Sequence, residues 1–229
     1  MKATALFATI LLFLSAEAKF LPREKTIYYK LGEKTIPLLV SEYGTSNDIV
    51  CINLHNNEIT SVMAARTVLE THGGMLIRIE NNYQRVVKFK LKGVTYAFDP
   101  NRIFSRTGIE QSLKENGRTN EMAIEEIERF ASRILELIPE SNKCIIALHN
   151  NTEGAYSIDS YIEGGDRHND AKAAKKFDDQ DPDDIAFTTD EQIYQRMVEE
   201  GYNSIWQDNQ GVKKDGSLSV YCGEKLMRS

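Results

Sequence analysis

Two short apolar runs constrain the fold of this chain more than any other feature of its sequence. They are "DIVCINLHNN" (48–57) and "KCIIALHNN" (143–151), and each ends in His-Asn-Asn. Nearly unbroken apolar runs of this length are typical of strands buried on both faces, as in parallel sheets covered by helices. We therefore predict an α/β protein, a three-layer α/β/α sandwich around a mixed but mostly parallel sheet.

The remaining segments suit such a fold. "KTIYYKLGEKTIPLLVSEYG" predicts an opening hairpin, and "RVVKFKLKGVTYAFD" predicts a second strand pair. Helical periodicity appears in "EITSVMAARTVLETHGG", "NEMAIEEIERFASRILELIPE" and "DEQIYQRMVEEG". "YNSIWQ" and "SLSVYC" are predicted to be late strands, and the polar, acidic stretch from Gly164 to Asp184 is predicted to be a solvated loop or flap.

The N-terminus has the features of an export signal. In "MKATALFATILLFLSAEAKF", Lys2 precedes an apolar run and Ala16-Glu17-Ala18 forms a small-x-small cleavage site. We expect residues 1–18 to be a signal peptide, residues 19–229 to form one domain, and the product to be secreted or periplasmic. A retained anchor is the alternative, although the run is short for a membrane span.

Charge and cysteine content narrow the function. The net charge of −6 argues against a nucleic-acid partner, which would require a basic face. The three cysteines, Cys51, Cys144 and Cys222, each lie in an apolar run. They are expected to be buried free thiols, because an odd number leaves one unpaired and no two have the close spacing of zinc-thiolate ligands.

Polar residues follow the two apolar runs, where ligands collect in parallel sheets. His55 and His149 come at the ends of the two predicted strands, and Glu58 lies at the start of the helix that follows the first. Two imidazoles and one carboxylate, with a position open for water, form a usual catalytic zinc site. His-x-x-Glu alone is a weak signal, and taken by itself it is better explained as a polar cap, with Glu58 in the first turn of the helix facing the helix dipole.

A third motif favours the metal site over the helix-cap explanation. "DPNRIF" (99–104) lies between "HNNE" (55–58) and "LH" (148–149). The order and spacing of these motifs resemble the zinc carboxypeptidase superfamily, in particular its aspartoacylase and succinylglutamate desuccinylase branch. The resemblance covers roughly residues 49 to 149 and implies a zinc-carboxypeptidase-like domain.

The resemblance implies a role for each matching residue. His55, Glu58 and His149 would bind one zinc ion, and Asn101 and Arg102 would bind a substrate carboxylate. The activity implied is that of a metallocarboxypeptidase or an N-acyl amino acid amidohydrolase, whose substrate is a peptide or acylated amino acid with a free carboxylate.

Two further catalytic assignments are less specific. An arginine that polarises the scissile carbonyl would be Arg85, with Arg78 as the alternative. The general base would be Glu224, with Glu153 a distant candidate, or it would lie beyond the C-terminus of a chain that is short for this fold. In that last case the chain would be a non-catalytic metal- or carboxylate-binding member of the fold.

Overall fold

A computed structural model describes residues 19–150, 156–212 and 215–226. The predicted signal peptide, residues 1–18, lies outside this part of the chain. Among the described residues, no helix combines the length and the apolar character needed to cross a membrane.

The described part of the chain is a mixed α/β structure. Its strands are β1 (Pro22–Leu31), β2 (Lys34–Tyr43), β3 (Ile49–Asn53), β4 (Gly74–Ile79), β5 (Val87–Leu91), β6 (Val94–Phe98), β7 (Cys144–Ala147), β8 (Ala171–Lys175), β9 (Ala186–Thr188) and β10 (Ser204–Gln207). Its α-helices are α1 (Ile59–His72), α2 (Arg106–Glu115), α3 (Glu121–Leu135), α4 (Glu191–Glu199) and α5 (Leu218–Tyr221). The predicted α/β class is confirmed.

The main sheet has five strands in the order β1-β2-β4-β3-β7. The central strand β3 pairs in parallel with β4 on one side and with β7 on the other. β1 and β2 form the predicted opening hairpin, and β2 also runs antiparallel to β4. Only half of the strand pairs in this sheet are parallel, fewer than expected, because the two arms of a hairpin must be antiparallel.

Apolar residues of β3 contribute to cores on both faces of the sheet. Val50 and Ile52 belong to a large cluster that includes residues of α2 and α3, whereas Cys51 lies in a second cluster with residues of α1. This division follows from the alternation of side chains along a strand. It explains why the run is apolar throughout and confirms that β3 is buried on both faces. The same prediction is wrong for β7, which is only partly buried, with Ile146 41% exposed, because it lies at the edge of the sheet.

The helix α1 ends where Gly73-Gly74 predicted. The N–H of Gly73 donates to the carbonyl of Leu69, and Gly74 has φ +124°. A Cβ at Gly74 would lie 2.7 Å from the carbonyl oxygen of Ile49. Only glycine combines this backbone angle with so close an approach of β4 to the start of β3.

Two predictions in the C-terminal third are wrong. The acidic segment is not a loop throughout, because residues 171–175 form β8, which pairs with β10 in a three-stranded sheet of order β8-β10-β9. "SLSVYC" is not a strand but contains α5. Leu218 and Cys222 both enter the main core cluster, and their separation of four residues is helical.

The three cysteines are free, as predicted, but they are not equally enclosed. Cys51 and Cys222 are buried, and Cys144 is partly exposed. Burial raises the pKa of the Cys51 thiol to about 12 and does the same for Cys222. Both thiols are therefore protonated at ordinary pH.

We expect Cys51 and Cys222 of the native protein to resist alkylation. At pH about 8, a thiol whose pKa is about 12 is deprotonated in roughly one molecule in ten thousand, and only the thiolate reacts. Iodoacetamide labelling followed by peptide mass spectrometry should modify Cys144 first, and all three cysteines once guanidinium unfolds the chain. Rapid native labelling of Cys51 would contradict the buried placement of β3.

Candidate metal centre

The parallel pairing of β3 and β7 brings the two histidines together. Ile52 of β3 lies opposite Ala147 of β7, so that the carboxyl ends of the two strands share one edge of the sheet. His55 and His149 follow directly, and the centroids of their rings are 5.4 Å apart. The expectation that both strands deliver a histidine to one place is confirmed.

Glu58 completes the group with its carboxylate. Oε1 lies 3.0 Å from Nδ1 of His55, and Oε2 lies 3.1 Å from Nδ1 of His149. One ligand atom from each of the three residues lies within 4.8 Å of the other two. His55 and Glu58 are buried and His149 is exposed, so the group can hold a metal ion that is accessible from one side.

Glu58 does not act as a cap for α1, which was its other explanation. It occupies the N-cap position, but its side chain makes no capping hydrogen bond. Oδ1 of Asn150 instead accepts the N–H of Ser61 at 2.8 Å, and the N–H of Asn150 donates to Oε2 of Glu58 at 3.2 Å. Because Asn150 satisfies the start of α1, the carboxylate of Glu58 is free to face the histidines.

Asp99 orients His55. Nε2 of His55 donates to Oδ1 of Asp99 at 2.6 Å, and the same oxygen accepts the N–H of Asn101 at 2.8 Å. Nδ1 of His55 is buried and has no hydrogen-bond partner among the described residues, although Glu58 lies nearby. A carboxylate that accepts a hydrogen bond from one ring nitrogen and leaves the other for a metal is the usual support of a histidine ligand. The sequence contained Asp99 within "DPNRIF" but did not predict this role.

The site is electrostatically prepared for a cation. Burial would raise the pKa of Glu58, but the hydrogen bond from His149 and the positive charge of His55 and His149 outweigh it and lower the pKa. The pKa of Asp99 is likewise lowered, since its hydrogen bond from His55 outweighs burial. For His55, burial opposes the charged ring, but its hydrogen bond to Asp99 and the adjacent carboxylate of Glu58 raise the pKa overall. Both carboxylates are therefore ionised at neutral pH.

Arg85 is the arginine at this centre. Its Nη1 lies 2.5 Å from Oε1 of Glu58, and its Nε lies 3.7 Å from Oδ2 of Asp99. Its loop is anchored by Asn56, whose Oδ1 accepts the N–H groups of residues 81 and 83. The alternative, Arg78, lies within β4, and its Nε is buried without a hydrogen-bond partner among the described residues.

Asn101 and Arg102 lie in a short helical turn beside the histidines. Nδ2 of Asn101 is 3.3 Å from Nε2 of His149. Nη1 of Arg102 donates to the carbonyl of Asn101 and lies 3.2 Å from Oδ2 of Asp215. Asn101 thus contacts one member of the candidate metal-ligand group, and Arg102 is its neighbour in the turn. Asp215 was not singled out in the sequence.

Glu224 lies in a different setting from the one its proposed role required. It belongs to a π-helical turn, Cys222–Leu226, that directly follows α5, rather than to a strand. It is not a member of the possible metal-ligand group found among the described residues. Glu153 lies outside the described residues.

Comparisons of the chain with protein-family models, with curated proteins and with solved structures found no match. The functional interpretation therefore depends on the residues of the centre themselves.

We expect the purified protein to bind one divalent metal ion, with zinc as the probe, and His149→Ala to abolish that binding. Asp99→Asn should weaken zinc affinity about 10- to 100-fold, because it removes the negative charge that strengthens the hydrogen bond from His55 and orients the ring. Competition with a chromophoric chelator measures both effects. His72→Ala is the matched control, since His72 ends α1 away from the group. Equal zinc content in the wild type and His149→Ala would refute the centre.

Proposed function

We propose that this protein is an exported, zinc-dependent hydrolase of the carboxypeptidase type. It cleaves an amide bond in a peptide or an N-acyl amino acid that carries a free carboxylate. The proposal includes a three-layer sandwich of the kind found in zinc carboxypeptidases, with the helices α1, α2 and α3 supplying the outer layers.

One observation carries the proposal. The centre combines His55, Glu58 and His149 with Asp99 on the far nitrogen of His55 and an exposed side at His149. Two nitrogen donors and one oxygen donor suit zinc better than magnesium or calcium, which prefer oxygen ligands throughout. Three protein ligands with one open position are typical of catalytic rather than structural zinc sites.

The metal would supply the central chemistry. His55, Glu58 and His149 would hold the zinc ion, which would lower the pKa of a water ligand to about 7 and polarise a carbonyl oxygen. Arg85, half exposed beside Glu58, presents a guanidinium to the same space and stabilises negative charge that develops on the carbonyl oxygen. Its contact with Glu58 also holds that carboxylate in place.

The pair Asn101 and Arg102, called the carboxylate grip from here on, supports the choice of substrate. Arg102 offers a planar guanidinium, which binds carboxylates more specifically than an ammonium group does. Asn101 lies between Arg102 and His149, within hydrogen-bonding distance of the imidazole. A substrate anchored there by its carboxylate would present the neighbouring amide bond to the metal centre.

The position of Glu224 favours a second candidate function. A hydrolase of this type needs a carboxylate near the metal-bound water to accept its proton. Asp99 is engaged by His55 and Asn101, and Glu224 is carried by a helical turn rather than a strand. A metal- and carboxylate-binding protein without hydrolytic activity is therefore the competing proposal.

Hydrolysis of a substrate panel tests the proposed class. We expect the zinc-loaded protein to release amino acids from C-terminal peptides or N-acyl amino acids, and to leave the corresponding C-terminal amides largely uncleaved. Arg102→Gln should lower kcat/KM for the free acids about 100-fold, because the bidentate contact is lost. Arg133→Gln, on the exposed face of α3, is the control. Equal cleavage of acids and amides would refute the carboxylate requirement.

Glu224→Gln separates the hydrolase from the binding protein. If Glu224 is the general base, the variant should lose about 10²- to 10⁴-fold in kcat while retaining zinc and carboxylate binding. Product release followed by liquid chromatography measures the rate, and a chelator assay measures the zinc. A wild type and a variant that are equally inert, yet both bind zinc, would favour the binding protein.

A further inference from the structure

A C-terminal segment, residues 215–218, packs directly on the turn that contains the carboxylate grip. The N–H of Phe104 donates to the carbonyl of Gly216 at 2.9 Å, and the N–H of Leu218 donates to Oδ1 of Asn101 at 3.0 Å. Gly216 has φ +77°, and a Cβ there would lie 2.6 Å from the carbonyl oxygen of Arg102. Such an approach requires glycine, so the two segments form one closely packed unit.

The Leu218 contact determines which way the amide of Asn101 faces. A backbone N–H can only donate, so the atom of Asn101 that receives it must be the carbonyl oxygen Oδ1. Nδ2, which donates, is thereby turned towards His149 and the metal centre. The segment thus presents the donor half of this side chain to the site.

Asp215 acts on the other member of the grip. Its Oδ1 accepts the N–H of Ser217 at 3.0 Å, which fixes the side chain in a local turn. Its Oδ2 lies 3.2 Å from Nη1 of Arg102, and both side chains are about two-thirds buried or more. Each oxygen therefore has a separate partner, and the position of the carboxylate is set by its own backbone.

These contacts leave part of the Arg102 guanidinium unused. Nη1 is taken by Asp215 and by the carbonyl of Asn101. Nε and Nη2 of Arg102 donate no hydrogen bond to any residue in the described part of the chain. Because the group is planar and rigid, anchoring it at Nη1 also fixes the direction of the Nε–Nη2 edge, which can bind a carboxylate with two parallel hydrogen bonds.

We propose that Asp215 is a positioning residue that holds Arg102 by Nη1 and presents its Nε–Nη2 edge to the carboxylate of the ligand. This inference rests on the proposed function and adds to it how carboxylates are distinguished from neutral ligands. Asp215 itself does not contact the ligand. It supplies the internal charge that keeps the arginine in one orientation.

The experiment compares two ligands that differ only in charge, N-acetylglycine and N-acetylglycinamide, on the full-length zinc-loaded protein. Asp215→Asn keeps an oxygen for the Ser217 turn and removes the negative charge. We expect it to raise the Kd for N-acetylglycine about 3- to 10-fold and to leave the Kd for the amide unchanged. NMR-detected titration measures both constants even when binding is weak.

Asp208→Asn is the matched control. Oδ1 of Asp208 accepts the N–H of Gln210 in the same kind of turn, away from the grip. It should change neither Kd. Loss of affinity for both ligands in Asp215→Asn would indicate general damage to the site and overturn the inference, as would unchanged acid affinity. Tighter acid binding would also overturn it, by indicating that Asp215 occupies the place of the ligand carboxylate.

Failure of this inference is distinguishable from failure of the proposed function. If the wild type prefers the acid and Arg102→Gln abolishes that preference, binding of the ligand carboxylate by the carboxylate grip is supported. This holds whatever the result for Asp215→Asn. If the wild type binds zinc but does not distinguish acid from amide, the carboxylate substrate class fails, and the role of Asp215 fails with it.

Discussion

The buried carboxylate of Glu58 is the interaction on which the arrangement of this protein depends. Only 4% of its side chain is exposed, and a carboxylate taken out of water costs several kcal/mol unless partners replace the solvent. His55, His149, Arg85 and the N–H of Asn150 provide that compensation. They come from the ends of β3 and β7 and from the loop after β4. The order of the strands in the sheet therefore brings together the residues that compensate the negative charge of Glu58.

The supporting residues around this carboxylate have separate tasks. Asn150 satisfies the first turn of α1, Asn56 anchors the loop that carries Arg85, and Asp99 accepts the hydrogen bond from Nε2 of His55. Cores on both faces of β3 keep the strand ends in register, so that these short contacts persist. The repeated His-Asn-Asn thus has a structural meaning: each histidine faces the centre, and the asparagine after it supports a neighbouring segment.

Local patterns were sufficient to predict much of this. The strands β3 and β7, the opening hairpin, α1 and α3 follow from apolar periodicity and from Gly73-Gly74, and the ligand group follows from the strand ends. Prediction failed where tertiary contacts override local pattern. Leu218, Val220 and Cys222 alternate as in a strand, yet a helical turn buries Leu218 and Cys222 in one cluster. Residues 171–175 have weak strand propensity and are ordered by pairing with β10.

By itself, the sequence determined the α/β class, the buried strand β3, the existence of β7 and the three side chains of the candidate metal-ligand group, because these depend on residue type and spacing along the chain. Only the tertiary structure decided which arginine reaches Glu58, that Asn150 rather than Glu58 caps α1, and that Asp215 contacts Arg102. The last contact joins residues more than a hundred positions apart. No spacing rule predicts such pairs, because they arise from how packed layers bring distant loops to the same edge of a sheet.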